Sequence, residues 1–182
     1  MKNEKHNLSG KPVLYIFSGL PGVGKSTLAK ELAEREDAVY LRIDTIEQGL
    51  RDICGIKVGG EGYRLAYRIA EENIKAGQSV VADCVNPWKL TREEWKETAV
   101  NNNAGYINIE IVCTEKEEHK KRAEGRVSEV KNLQLPSWDK IQNLKYEQWE
   151  DRVITVDTSR KTVEESVDEL IFKIAAWTGE TK

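Results

Sequence analysis

Two periodicities alternate along this chain. Short runs rich in β-branched and aromatic residues, "VLYIFS" (13–18), "AVYLR" (38–42), "SVVAD" (79–83), "YINIEIVC" (106–113) and "RVITVD" (152–157), read as strands. Between them, residues 25–35, 63–76, 91–102, 115–127 and 163–177 carry helical spacing. The last is the clearest: Val163, Val167, Leu170, Ile171, Ile174 and Ala175 form one apolar stripe, and Thr162 with Glu165 has the spacing of a capping box. Strand and helix repeated five times predict an α/β fold, a five-stranded parallel sheet flanked by helices on both faces. No repeat, low-complexity tract or linker divides the chain, so residues 1–182 are expected to form a single domain. Two segments are expected to be mobile: the glycine-dense "CGIKVGGEG" (54–62), and the stretch from Gly125 to Pro136.

Composition narrows the function little. The chain has 182 residues, enough for a real core, and 28 Lys+Arg against 31 Asp+Glu leave a net charge of -3. That balance gives no global pull toward nucleic acid or an anionic membrane. Cys54, Cys84 and Cys113 lack any metal-ligand spacing and read as small buried hydrophobes in a reducing, cytoplasmic setting. The polar start "MKNEKHNLSGKP" and the short apolar run after it resemble neither a signal peptide nor a membrane span.

The chemistry begins at "FSGLPGVGKSTLAKEL" (17–32). Gly19, Gly24, Lys25 and Ser26 satisfy G-x-x-x-x-G-K-[ST], followed by Thr27, between a predicted strand and a predicted helix. Glycines let backbone N–H groups, including those around Pro21, Gly22 and Val23, turn inward around a polyphosphate, and the helix aims its positive end at the same point. Lys25 would reach the β and γ phosphates and Ser26 would ligate Mg2+. These residues predict a nucleoside triphosphate site. No N-K-x-D base-reading motif is present, and "DICG" (52–55) follows no strand, so a guanine-specific GTPase is excluded. The length suits a small kinase.

In an open α/β sheet, ligands lie beyond the carboxyl ends of the strands, so the residues just after each strand are the candidates. After the second strand, "RIDTIEQGLR" offers Asp44 as a base for an acceptor hydroxyl; D-T-I-E also has capping-box spacing with Glu47, so Asp44 could cap a short helix, and both roles can hold at once. After the third, "VVADCVNPWKL" offers Asp83 as a metal-site acid or as an Asx turn, with Asn86 and Trp88 as acceptor contacts, Trp88 being equally a core candidate. In "EKEEHKKRAEGRVSEV", Arg122 and Arg126 fall one turn apart on one predicted helix, either a lid that closes on the phosphates or a solvated, charge-laced helix.

Taken together, "GLPGVGKSTLAKEL", "RIDTIEQGLR", "VVADCVNP", the Arg122/Arg126 helix and "VITVDTS" resemble the small P-loop kinases of metabolites and nucleic-acid ends over nearly the whole chain. The resemblance is greatest to bacterial AAA-type kinases related to the polynucleotide kinase domain, with chloramphenicol phosphotransferase, zeta toxin, gluconate kinase and shikimate kinase as more distant relatives. It implies a P-loop NTPase of nucleoside and shikimate kinase type with an arginine-bearing lid at about 115–136, ATP and Mg2+ as cofactors, and Asp44 in the place of the general base. It also implies that Asp157, Thr158 and Ser159 lie near adenine. The viral polynucleotide kinases carry an arginine three residues after the base; this chain has Glu47 there, with Arg51 as a substitute grip on substrate. A small-molecule acceptor is therefore expected, ahead of a polynucleotide 5′-hydroxyl or an ATP-gated binding module without catalysis.

Overall fold

The computed structural model describes residues 10–179. In chain order the elements are β1 (Val13–Ser18), α1 (Lys25–Glu36), β2 (Val39–Arg42), α2 (Ile43–Cys54), α3 (Glu61–Lys75), β3 (Val80–Asp83), α4 (Lys89–Asn101), β4 (Gly105–Val112), α5 (Lys116–Gly125), α6 (Trp138–Gln142), β5 (Ile154–Asp157) and α7 (Val163–Thr178). The five strands pair in the order β2-β3-β1-β4-β5, every pair parallel, as the alternation predicted. The central strand β1 is buried along its whole length, which is why "VLYIFS" carries no polar residue before Ser18 apart from the Tyr15 hydroxyl.

Strand periodicity sorts β1 into two cores. Val13, Tyr15 and Phe17 pack with Leu28 and Leu32 of α1 and Leu170 and Ile174 of α7. Leu14 and Ile16 face the other way, against Ala66 and Ala70 of α3 and Trp95 of α4. Each fully buried aliphatic side chain of this kind contributes on the order of 1.5–3 kcal/mol, so the two layers clamp β1 and hold the start of the phosphate loop in place. On α7, Val167, Leu170 and Ile174 are buried, and the Thr162/Glu165 capping box forms, with both reciprocal bonds present.

Two helices lie outside the five that periodicity marked, the first of them raised only by the cap reading of Asp44. α2 follows β2 without an intervening loop: Arg42 ends the strand, stays extended, and serves as the N-cap. Without a turn residue at that junction, the periodicity of "RIDTIEQGLR" has no punctuation to reveal the change. Asp44 is the second residue of α2, so it caps nothing; no side chain caps this helix. The "DICG" tetrapeptide is the last turn of α2 and its glycine cap, and there Cys54 is exposed, not buried as expected, whereas Cys84 and Cys113 are buried. The second such helix, α6, is a single short turn capped by the Ser137 hydroxyl. The glycine-dense segment is shorter than expected, because Glu61 and Gly62 already belong to α3; a Cβ on Gly62 would lie 2.3 Å from Glu47 Cγ, so the glycine lets α2 and α3 approach.

Candidate active site

The order β2-β3-β1-β4-β5 places the topological switch at β1, and the phosphate loop leaves that strand at its carboxyl end. Two glycines there are obligatory. Gly19 (φ 133°) has Ile111 O where a Cβ would sit, 2.2 Å away, and Gly22 (φ 91°) would bring a Cβ within 2.9 Å of Ala123 Cβ on α5. The loop is therefore wedged between β4 and α5. His119 of α5 adds a ring nitrogen 2.9 Å from Pro21 O, and the Thr158 hydroxyl donates to Val23 O at 2.8 Å. Gly24 caps α1, whose first turn contains Lys25, Ser26 and Thr27.

Lys25 is buried and donates to Asp83 Oδ1 at 3.1 Å; Tyr40 donates its hydroxyl to Asp83 Oδ2 at 2.7 Å. Burial opposes ionisation of Asp83, but the Lys25 ammonium and the hydroxyls of Ser26 and Tyr40 outweigh it and hold the carboxyl below the usual range. The same burial and the Asp83 charge push the Tyr40 phenol up. Ser26 and Asp83 together present hard oxygen donors that fit Mg2+, an ion that takes few protein ligands beside phosphate and water. No cluster of three or more His, Cys, Asp or Glu occurs among the described residues that could hold a metal without a phosphate.

A cleft of about 550 Å³ opens over this floor, lined by Lys25, Ser26, Thr27, Arg42, Arg122 and Arg126 among others. The two arginines meet there, but not as one helical face. α5 ends at Gly125, and Arg126 is extended just beyond it, which corrects the expectation of a continuous helix to 127. The glycine between them marks that helix end. Arg122 is tied down by Thr158 Oγ1 at 2.9 Å, by Thr158 O at 3.1 Å and by Glu118. The rest of the segment 126–136 folds over α1 and α2: Glu129 contacts Lys30 at 2.5 Å and Arg42 at 3.2 Å, and Asn132 donates to Asp52 at 3.0 Å.

The remaining candidates lie less simply. Asp44 is at the carboxyl end of β2 with its Oδ2 3.6 Å from Arg42 Nη2. Arg51 is paired with Glu47 at 2.9 Å and does not line the cleft. Asn86 is corrected from an acceptor contact to an internal brace: it is fully buried with φ 48°, its Nδ2 donates to Phe17 O, and its own carbonyl accepts from Arg92 Nε. Trp88 is half exposed as the N-cap of α4, so it is not core. Asp157 and Ser159 close a turn with Thr114 through hydrogen bonds of 2.5–3.2 Å, and burial, outweighed by these donors, leaves the Asp157 carboxyl at a pKa of about 2. Of that trio only Thr158 lines the cleft, and its hydroxyl is spent on the loop. Sequence reasoning missed Arg42, Tyr40, His119 and Glu129. Arg42 ends a strand opposite Asp83, so the strand-end rule would have found it; Glu129 carried no signal.

Comparison with known proteins converges on the same class. The family described as AAA domain matches residues 14–146. An adenylyl-sulfate kinase of Staphylococcus epidermidis is 28% identical over 177 residues, covering 93% of this chain and 87% of that protein. Among solved structures, a gluconokinase from Sinorhizobium meliloti aligns with a TM-score of 0.68 at 18% identity, over 93% of this chain and 95% of its own. The APS kinase CysC of Mycobacterium tuberculosis, solved with AMPPNP and APS, aligns with a TM-score of 0.67 at 16% identity, over 91% and 98%. At these identities the two structures speak for the fold.

Proposed function

The chain belongs to the AAA domain family, and from that membership and its small P-loop kinase fold we infer an ATP-dependent phosphotransferase that moves the γ-phosphoryl group to a hydroxyl of a small molecule. One observation carries the reading: the buried Lys25–Asp83 contact at the head of α1 lies in the same strand-end cluster as Asp44 and under the cleft that holds Arg122 and Arg126. The names of the adenylyl-sulfate kinase relatives support a small-molecule acceptor over a polynucleotide.

In this reading Gly19, Gly22, Gly24 and the amides of the loop hold the triphosphate, with Lys25 on its β and γ oxygens. Ser26 and Asp83 would hold Mg2+ when it is bound with the nucleotide, and the ion would supply charge neutralisation on the phosphates. Asp44 takes the proton of the acceptor hydroxyl while the hydroxyl oxygen bonds to the γ phosphorus, and the bond from that phosphorus to the β–γ bridging oxygen breaks as ADP leaves. Arg122 and Arg126 face the equatorial oxygens, on a lid spanning about 115–136 of a single domain. No helix among the described residues is long and apolar enough to cross a membrane, and a cytoplasmic setting completes the proposal.

The decisive experiment is a metabolite and antibiotic panel screened for acceptor-stimulated ADP formation. Asp44→Asn is expected to lower kcat by roughly 10²–10⁴-fold while ATP affinity stays nearly intact. Turnover equal to the wild type would sink the base assignment, and Lys25→Ala is expected to weaken nucleotide binding itself.

A further inference from the structure

A second cavity of about 410 Å³ lies between α2 and the segment after α5, and it shares Lys30, Arg42 and Glu129 with the nucleotide cleft. Its other walls include Thr45 and Gln48 of α2 and Lys131. The charges around it are unevenly satisfied. Asp52 is engaged by Asn132 at 3.0 Å and Gln48 at 2.8 Å, and Asp83 by Lys25 and Tyr40. Glu47, further along α2, is neutralised by Arg51.

Arg42 is ion-paired but poorly hydrogen-bonded. Its side chain is only 12% exposed, and it approaches Asp44 at 3.6 Å and Asp83 at 3.8 Å, both beyond hydrogen-bonding distance. The side chain's sole hydrogen bond among the described residues is to Glu129, whose side chain is 64% exposed on the folded-over segment, and its buried Nε, 3.8 Å from Asp83 Oδ2, has no hydrogen-bond partner. Arg126, beside Asp44 and Arg42, also has a buried Nε without a partner and no carboxylate within ion-pair distance among the described residues. Burial pulls its guanidinium pKa down, Asp44 counteracts this, and Arg42 adds to the fall. Two partly buried guanidiniums, each with a buried Nε that donates to nothing, carry a desolvation cost that a better-placed anion would relieve.

We propose that Arg42 and Lys30 form a site for a tetrahedral oxyanion carried by the acceptor, and that the Glu129 carboxylate occupies this site until that anion displaces it. The assignment to the acceptor follows from position. The loop amides and Lys25 already serve the donor phosphates, whereas Arg42 is rooted at the end of β2, two residues before Asp44, and faces the second cavity. With Glu129 displaced, the lining of that cavity keeps Lys30, Arg42 and Lys131 against one carboxylate, the already hydrogen-bonded Asp52, a balance that favours an anion.

The proposal rests on the kinase reading, and its test separates the two. The full chain is saturated with AMPPNP and Mg2+, and inorganic sulfate is titrated as the probe anion by calorimetry. Sulfate is expected to bind the nucleotide-loaded protein, about tenfold more tightly in Glu129→Gln, because the competing carboxylate is gone, and at least tenfold more weakly in Arg42→Gln. Failure of sulfate to bind once AMPPNP is present would assign the cations to the donor and overturn the proposal, as would unchanged affinity in Glu129→Gln, a surface change that leaves the core intact. In the acceptor panel, hydroxyl compounds bearing phosphate or sulfate are expected to show the lowest KM; uncharged polyols as the best acceptors would also overturn it. If no compound accepts phosphate, the kinase reading fails while the sulfate titration still gives its own answer.

Discussion

Thr158 places one hydroxyl between the phosphate loop, the Arg122 guanidinium and β4: it donates to Val23 O at 2.8 Å, accepts from Arg122 at 2.9 Å and lies 3.2 Å from Val112 O. Thr158→Val keeps the volume and removes all three, leaving buried polar groups unmet at a cost of about 1–3 kcal/mol. ATP affinity, measured by calorimetry, is expected to fall about tenfold, because the same change loosens both the loop and the arginine above it; unaltered affinity would show the pin to be ornamental. The residue before it, Asp157, makes stability depend on pH. Its folded pKa of about 2 lies below the unfolded value of roughly 3.9, so its contribution is fully present above the unfolded pKa and is lost as pH falls from about 4 toward 2. Asp83 shifts in the same direction. Asp157→Asn is therefore expected to flatten the acid limb of the stability curve without touching neutral-pH activity, as read by chemical denaturation at pH 3 and pH 7.

Among the elements, α7 and α5 obey different rules. α7 was legible because its apolar stripe and its capping box are both local: Thr162 accepts from Glu165 N at 3.2 Å, and Glu165 accepts from Thr162 N at 2.8 Å. Thr162→Ala should cost about 1 kcal/mol, a fall in melting temperature of roughly 2–4 °C for a chain this size, checked by calorimetric unfolding. α5 carries almost no apolar stripe, with only His119 and Ala123 buried, so its boundary was hidden from periodicity. Its end at Gly125 is set by what it packs on, since Ala123 abuts Gly22 and His119 reaches Pro21. α2 was hinted at only by the D-T-I-E spacing, because a strand passes directly into a helix at Arg42 and no turn residue separates them.

For the molecule as a whole, the segment 143–152 acts as a strap across α4. Buried Arg92 stacks its guanidinium 4.1 Å from the Trp149 ring and 4.9 Å from that of Tyr146, and donates to the carbonyls of Asn86, Glu147 and Gln148. Arg92→Met would strand those carbonyls; a loss on the order of 3 kcal/mol and protease cleavage within 143–152 are expected, with nucleotide affinity retained. Nothing local in "NLKYEQWED" announces such a strap. The sequence by itself determined the alternation of strands and helices, the sheet type, the phosphate loop with Lys25 and Ser26, and the strand-end aspartates, because each of these depends on residue types at fixed local spacing. Tertiary structure alone decided that Lys25 rests on Asp83, that Asn86 braces rather than binds, that Arg126 lies beyond its helix, and that Glu129 stands against Arg42. Each of these is a contact between residues tens of positions apart or a burial imposed by neighbouring elements, and such distances are fixed by how the layers pack, which no local pattern records.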